Sequence, residues 1–104
     1  YAFHQAQKLI VDGIAQEARL ETEKVVYSSD EFGNASSASI PITLCKAKED
    51  RHIFGYKNIL MCGYGIGLTW GALYIQVNYD WIYPIIETDY MYNDRDKFNI
   101  IKEK

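Results

Sequence analysis

A chain of 104 residues, 48% hydrophobic and 24% charged, has room for one modest core and belongs with packed globular proteins rather than disordered ones. Its formal net charge is -3, with both signs mixed and the acidic excess toward the C-terminus, so no basic face is expected for a phosphate backbone and nucleic acid drops out as a partner. No apolar run approaches the roughly 18 to 20 residues of a membrane span, and no charged-then-apolar leader opens the chain, so neither a membrane nor export is expected.

Two cysteines, Cys45 and Cys62, stand in no CxxC or Cys/His spacing. A metal site is therefore not expected, and a cytoplasmic, reducing compartment is. The first residue is Tyr1 rather than Met, which leads to the expectation of a piece of a longer protein.

Along residues 3–18, Phe3, Ala6, Ile10, Ile14 and Ala18 recur at helical spacing, with Gln7, Lys8, Asp12, Gln16 and Arg19 between them. An amphipathic helix is predicted there. Residues 24–28, with Val25, Val26 and Tyr27 in succession, read as a short buried strand, and Asp30, Gly33 and Asn34 behind it are turn formers. Ala38, Ile42 and Cys45 restore the helical period to about Glu49, with Ser36, Ser37 and Ser39 as candidate caps and Pro41 tolerated in the first turn. Residues 50–57 read as a loop.

Residues 58–62 form an apolar strand, residues 63–67 a glycine-rich turn, and residues 69–77 alternate as a second strand. A short glycine turn makes the two antiparallel neighbours. The expected class is α/β, in the order helix, strand, helix, strand, strand, with the earlier elements crossing over onto the same sheet. From residue 78 onward the composition shifts to Tyr79, Trp81, Tyr83, Tyr90 and Tyr92 among acids, with no period. We divide the chain into a domain portion, 1–77, and an extension, 78–104, whose aromatics are candidates to cover exposed surface or to touch another subunit, with a partly disordered tail as the alternative expectation.

Three motifs follow one another: His4-Gln5-Ala6-Gln7-Lys8, then Gly33-Asn34-Ala35-Ser36-Ser37-Ala38-Ser39-Ile40-Pro41, then Gly63-Tyr64-Gly65-Ile66-Gly67-Leu68-Thr69-Trp70-Gly71. In this order they resemble the C-terminal signatures of the β-ketoacyl-acyl-carrier-protein synthase III family: His-Gln-Ala-Asn, a Gly-Asn-Thr/Ala-Ser stretch closing on Pro, and a glycine turn running into Thr-Trp-Gly. The resemblance covers residues 3 to about 77. It implies the thiolase fold, a layered αβαβα arrangement of two related halves, of which this chain supplies much of the second.

The resemblance also implies a decarboxylating Claisen condensation. A cysteine takes an acyl group from a thioester, a malonyl thioester then loses carbon dioxide, and its carbanion attacks the acyl-cysteine. His4 and Asn34 occupy the family positions that donate hydrogen bonds to the enolate oxygen. Tyr64, Gly65 and Ile66 belong to the turn lining the pocket, with the Ile66 N–H as a backbone donor to the acyl oxygen. The implied substrates are coenzyme A or acyl-carrier-protein thioesters, with no further cofactor. The implied partners are the carrier protein and acyl-CoA, in a homodimer. Without the resemblance, His4 reads as a surface histidine and Asn34 as a turn residue. The Gly63-Tyr64-Gly65 stretch superficially suggests a nucleotide loop, but that fingerprint must open into a helix, and this one opens into a strand.

Some positions depart from the family pattern. Gln7 stands where Asn is usual, Leu9 where many members carry an arginine that reads the carrier protein, and Ile66 where glycine is common. Lys8 is adjacent but on another side of the helix, and the resemblance makes Gln7 and Lys8 the expected substrate- or carrier-adjacent positions. The nucleophilic cysteine of the family lies in the first half of the fold. Cys45, within a helix, and Cys62, ending a strand, read as small core hydrophobes, and His52 as a solvated loop residue. This chain alone is thus expected to be inactive. A non-catalytic partner subunit, a related polyketide-type synthase and an independent binding module are the competing readings.

Overall fold

The computed structural model describes residues 1–89. Its sheet has the order β1 (Ala2–Phe3), β2 (Tyr56–Gly65), β3 (Thr69–Asn78). β1 runs parallel to β2, with Ala2 opposite Met61 and Phe3 opposite Cys62, and β2 runs antiparallel to β3 from Tyr56–Asn78 to Gly65–Thr69. On the other side of β1, Val26 bridges to Ala2 in parallel. Three helices connect the strands: α1 (Lys8–Glu17), α2 (Ser29–Phe32) and α3 (Ser39–Arg51).

Successive residues of a strand point to opposite faces, and both residues of β1 are buried. Ala2 joins a core with Ala47, Ile59 and Tyr79, against which Ile40 and Leu44 of α3 pack. Phe3 joins a second core with Val11, Ala15 and Val25, which takes in Ile14 of α1 and Cys62. Helices α1 and α3 therefore cover opposite faces, and this is an α/β layered unit of the kind expected.

Several boundaries differ from the sequence reading, each for a physical reason. The helix expected over residues 3–18 begins only at Lys8, because Phe3 is held in the sheet, and Phe3 and Ala6 matched the helical period by coincidence of spacing. The buried stripe is Val11 and Ala15, one residue out of phase with Ile10 and Ile14, and Ile10 is left exposed. The strand expected over residues 24–28 shrinks to the single Val26 bridge, since a two-residue β1 offers no longer partner. None of Ser36, Ser37 and Ser39 caps α3. A 3-10 turn, Ser36–Ala38, feeds straight into the helix, whose N-cap is Ala38 without a side-chain bond. Pro41 does fall in the first turn of α3.

The hairpin is antiparallel as expected, but its strands are longer. Gly63 and Gly65 lie in β2, and the turn is the three residues 66–68. The helix runs on to Arg51, and His52 closes it in the left-handed region at φ 49, exposed. Beyond β3, Tyr79 is buried against the core, and its N–H donates to Gly55 O at 2.8 Å. Trp81 and Tyr83 remain exposed, while Tyr90 and Tyr92 lie outside the described residues.

A buried polar network ties the loops together. Gln5 has no exposed surface. Its Nε2 donates to Phe3 O at 2.9 Å and to Val26 O at 3.4 Å, while its Oε1 accepts from the N–H groups of Ser28 at 3.0 Å and Ser29 at 3.3 Å. The Ser28 and Thr43 hydroxyls lie 2.8 Å apart, and Thr43 donates to Ser39 O at 2.8 Å. Four contacts saturate the amide, which is what makes its burial tolerable.

Candidate functional site

His4 leaves the sheet directly after β1, and its backbone is fastened to β2 on both sides. The His4 N–H donates to Cys62 O at 2.9 Å, and the Tyr64 hydroxyl donates to His4 O at 2.9 Å. The imidazole meets the Tyr64 ring edge to face, with centroids 5.1 Å apart at 87°. Burial, and then the nearby Cys62, push the Tyr64 phenol above its ordinary value, so it stays protonated and remains a donor.

Asn34 is placed by the turn that ends α2. Gly33 adopts φ 62, ψ -155, a region only glycine enters without strain. The next residue then folds back, and Asn34 Oδ1 accepts from the Ser36 N–H at 2.9 Å, an Asx turn. With the oxygen engaged, the outward function of this amide is its NH₂ donor pair. Replacing Gly33 with Ala is expected to cost roughly 1–3 kcal/mol through backbone strain alone, since nothing lies within 4 Å of the added Cβ. Urea unfolding of the two forms checks it.

His4, Asn34, Tyr64, Gly65 and Ile66 line one open cleft of about 980 Å³. The first, second and third motifs, distant in sequence, thus meet where β1, α2 and the hairpin end. Ile10 and Ile40 also line the cleft, as do Ala6, Ser36 and Ser37. None of them stands out in the sequence as a site residue, and Ile10 in particular fits the helical period of α1. Their signal lay in position: Ile40, Ser36 and Ser37 belong to the second motif, and Ile10 stands six residues after His4.

The hairpin tip is shaped by its own bonds. Gly67 and Leu68 both have positive φ, at 80 and 48, and Thr69 Oγ1 donates to Ile66 O at 3.0 Å. The Ile66 side chain is 100% exposed and Leu68 97%, with Trp70, Leu73 and Tyr74 of β3 also exposed. Among the described residues, then, the Ile66 side chain does not close the cleft.

Gln7 and Lys8 are not brought to this cleft. Gln7 is the N-cap of α1, and both residues line a separate depression with Tyr27, Ser29 and Gly33. Lys8 pairs with Asp12 at 3.0 Å and lies 5.0 Å from the Tyr27 ring centre, while Tyr27 donates to the other Asp12 oxygen at 2.5 Å. The Tyr27 and Lys8 hydrogen bonds hold the Asp12 carboxyl below its usual range, and burial together with Asp12 pushes the Tyr27 phenol up to about 12. Leu9 is 80% exposed.

Neither cysteine has the environment of a nucleophile. Desolvation raises both the Cys45 and the Cys62 thiol, where a reactive cysteine needs its thiolate stabilised. At pH 7.5 both are expected to react with iodoacetamide more slowly than a free cysteine peptide, as mass spectrometry of timed samples checks. Among the described residues no group of three or more His, Cys, Asp or Glu side chains is placed to hold a metal ion, and no helix is long and apolar enough to cross a membrane.

Residues 1–77 match the family described as 3-oxoacyl-[acyl-carrier-protein (ACP)] synthase III C terminal. The chain is 39% identical over 74 residues to beta-ketoacyl-[acyl-carrier-protein] synthase III of Clostridium perfringens (strain 13 / Type A), covering 71% of this chain and 23% of that protein. It is 41% identical over 73 residues to the protein of that name in Agrobacterium fabrum (strain C58), covering 70% and 23%. With its namesake in Enterococcus faecalis the identity is 40% over 72 residues, covering 67% and 22%. The chain thus spans less than a quarter of the length of these curated relatives. A family match over residues 1–77, together with a layered unit in which the three motifs converge, establishes that the chain belongs to the 3-oxoacyl-[acyl-carrier-protein] synthase III C-terminal family.

Proposed function

We propose that this chain forms the C-terminal part of a condensing enzyme that joins an acyl thioester to a malonyl thioester with loss of carbon dioxide, the step that starts a fatty-acid chain. The observation carrying this reading is the meeting of His4, Asn34 and the Ile66 turn at one cleft. When carbon dioxide leaves, the electron pair of the broken C–C bond passes into an enolate. The negative charge gathers on the thioester oxygen. A ring N–H of His4 and the Asn34 NH₂ are the donors for that oxygen, and fixed donors outside bulk water are worth far more than solvated ones.

The carbanion then attacks the carbonyl of an acyl-cysteine, and the thiolate leaves as the new C–C bond is made. The Ile66 N–H serves the oxygen of that acyl group. The cysteine comes from the other half of the enzyme, since the raised thiols of Cys45 and Cys62 suit neither to the task. The substrates are carried on coenzyme A or on an acyl carrier protein, and no cofactor is consumed. Lys8, neutralised by Asp12, and the apolar Leu9 are poor readers of an acidic carrier, so this surface contributes little to carrier recognition.

The test is product formation. The complete enzyme, given an acyl thioester and a malonyl thioester, is expected to release carbon dioxide and form the 3-oxoacyl product, and this chain alone to do neither. Absence of condensation by the complete enzyme would point instead to a non-catalytic partner subunit and overturn the proposal.

A further inference from the structure

The two proposed donors stand on different parts of the fold: His4 on the end of β1, fastened to β2, and Asn34 on the turn behind α2. Gln5 joins them. Helix α2 has only four residues, and its N-cap Ser28 makes no side-chain cap bond. The amides at the start of a helix lack intrahelical acceptors. At α2 these include the N–H groups of Ser28 and Ser29, and the Gln5 Oε1 accepts from both. The same amide grips Phe3 O and Val26 O with its nitrogen. The residue next to His4 thus caps the helix that leads, through the Gly33 N–H to Ser29 O bond at 3.0 Å, into Asn34.

We propose that Gln5 is a positioning residue, whose buried amide fixes the spacing between the His4 and Asn34 donors by capping α2 from the end of β1. It touches no reacting atom. The proposal rests on the reading of His4 and Asn34 as enolate donors, and its effect should fall on the step that needs both of them at once. A misplacement of about 1 Å in a catalytic arrangement can cost about 10²-fold in rate.

The experiment compares Gln5→Met, Gln5→Glu and Ser28→Ala in the complete enzyme. Methionine fills the volume but cannot cap. Glutamate keeps an acceptor for Ser28 and Ser29. Ser28→Ala removes the buried hydroxyl contact to Thr43 yet leaves the Ser28 N–H bonded to Gln5, and so controls for a loss of stability without loss of the cap. For Gln5→Met, kcat for malonyl-thioester decarboxylation should fall by about tenfold or more, with KM and the rate of cysteine acylation within about threefold of wild type. Gln5→Glu should recover part of that loss. Ser28→Ala should keep the wild-type ratio of decarboxylation to acylation.

A proportional fall of both rates in Gln5→Met, or the same split in Ser28→Ala, would reduce Gln5 to a purely structural role and overturn the proposal. If Gln5→Met does not fold, Gln5→Ala, which removes the cap and leaves room for water beside the freed amides, decides by the same ratio: an unchanged ratio in this variant overturns the proposal. If the wild-type enzyme fails to decarboxylate, the functional reading falls. The Asn34 side-chain NH₂ signals in NMR spectra of wild type and Gln5→Met still test the positioning: a shift is expected, and identical signals contradict it.

Discussion

Replacing His4 by Ala in the complete enzyme is expected to slow malonyl-thioester decarboxylation by about 10²- to 10³-fold, the loss typical of removing one preorganised oxyanion donor. Cysteine acylation should persist at close to its normal rate, because the enolate forms only in the second step. The substitution also removes the ring that meets Tyr64 edge to face. It spares both backbone bonds that hold the segment, His4 N–H to Cys62 O and Tyr64 to His4 O, so the cleft should keep its shape. Radiometric carbon dioxide release and mass-spectrometric acylation, measured on the same preparation, separate the two steps. Equal loss of both would mean that His4 serves the fold rather than the enolate.

Changing Asn34 to Asp is expected to be at least as damaging, for a sharper reason. Aspartate retains an oxygen to accept from the Ser36 N–H, so the Asx turn survives. What is lost is the NH₂, and in its place stands a carboxylate without donors, facing an oxygen that must become negative. Decarboxylation should fall by about 10³-fold or more, combining a lost donor with like-charge repulsion. Stability should change by no more than about 0.5 kcal/mol, as for an exposed substitution that keeps its local bond. A urea unfolding midpoint near wild type, with activity gone, is the expected pair of results.

How much of this was legible in the sequence depends on how local each cause is. The hairpin was plain, because its glycine turn and alternating strand are short-range signals, and so was the presence of α3 with Pro41 in its first turn, but its buried face is Ser39, Thr43 and Ala47 rather than Ala38, Ile42 and Cys45. The three motifs, far apart in sequence, bring His4, Asn34 and Ile66 to the lining of one cleft once folded. Strand β1 was hidden, since two residues carry no period of their own and Phe3 happened to fit the helix beyond it. The phase of α1 was misjudged by one residue because Ile10 is as apolar as Val11, and only the position of Phe3 decides which of them is covered. Helix α2 had no local signature, because its cap is Gln5, more than twenty residues upstream.

The exposed run along β3 bears on the competing reading of a free-standing module. Trp70, Leu73 and Tyr74 lie uncovered by the described residues, together with Ile66 and Leu68 at the tip. An independent domain rarely leaves so many large apolar side chains of one hairpin in water. Part of a larger assembly does so naturally, which fits the proposal that a second half completes the enzyme and supplies the cysteine.

The central claim, that His4 and Asn34 address one oxygen, is tested most directly by a crystal structure of the complete enzyme with an unreactive malonyl thioester analogue. The thioester oxygen is expected within about 2.7–3.1 Å of both a His4 ring nitrogen and the Asn34 Nδ2. An analogue bound in the cleft with its oxygen turned to other groups, out of reach of either side chain, would contradict it.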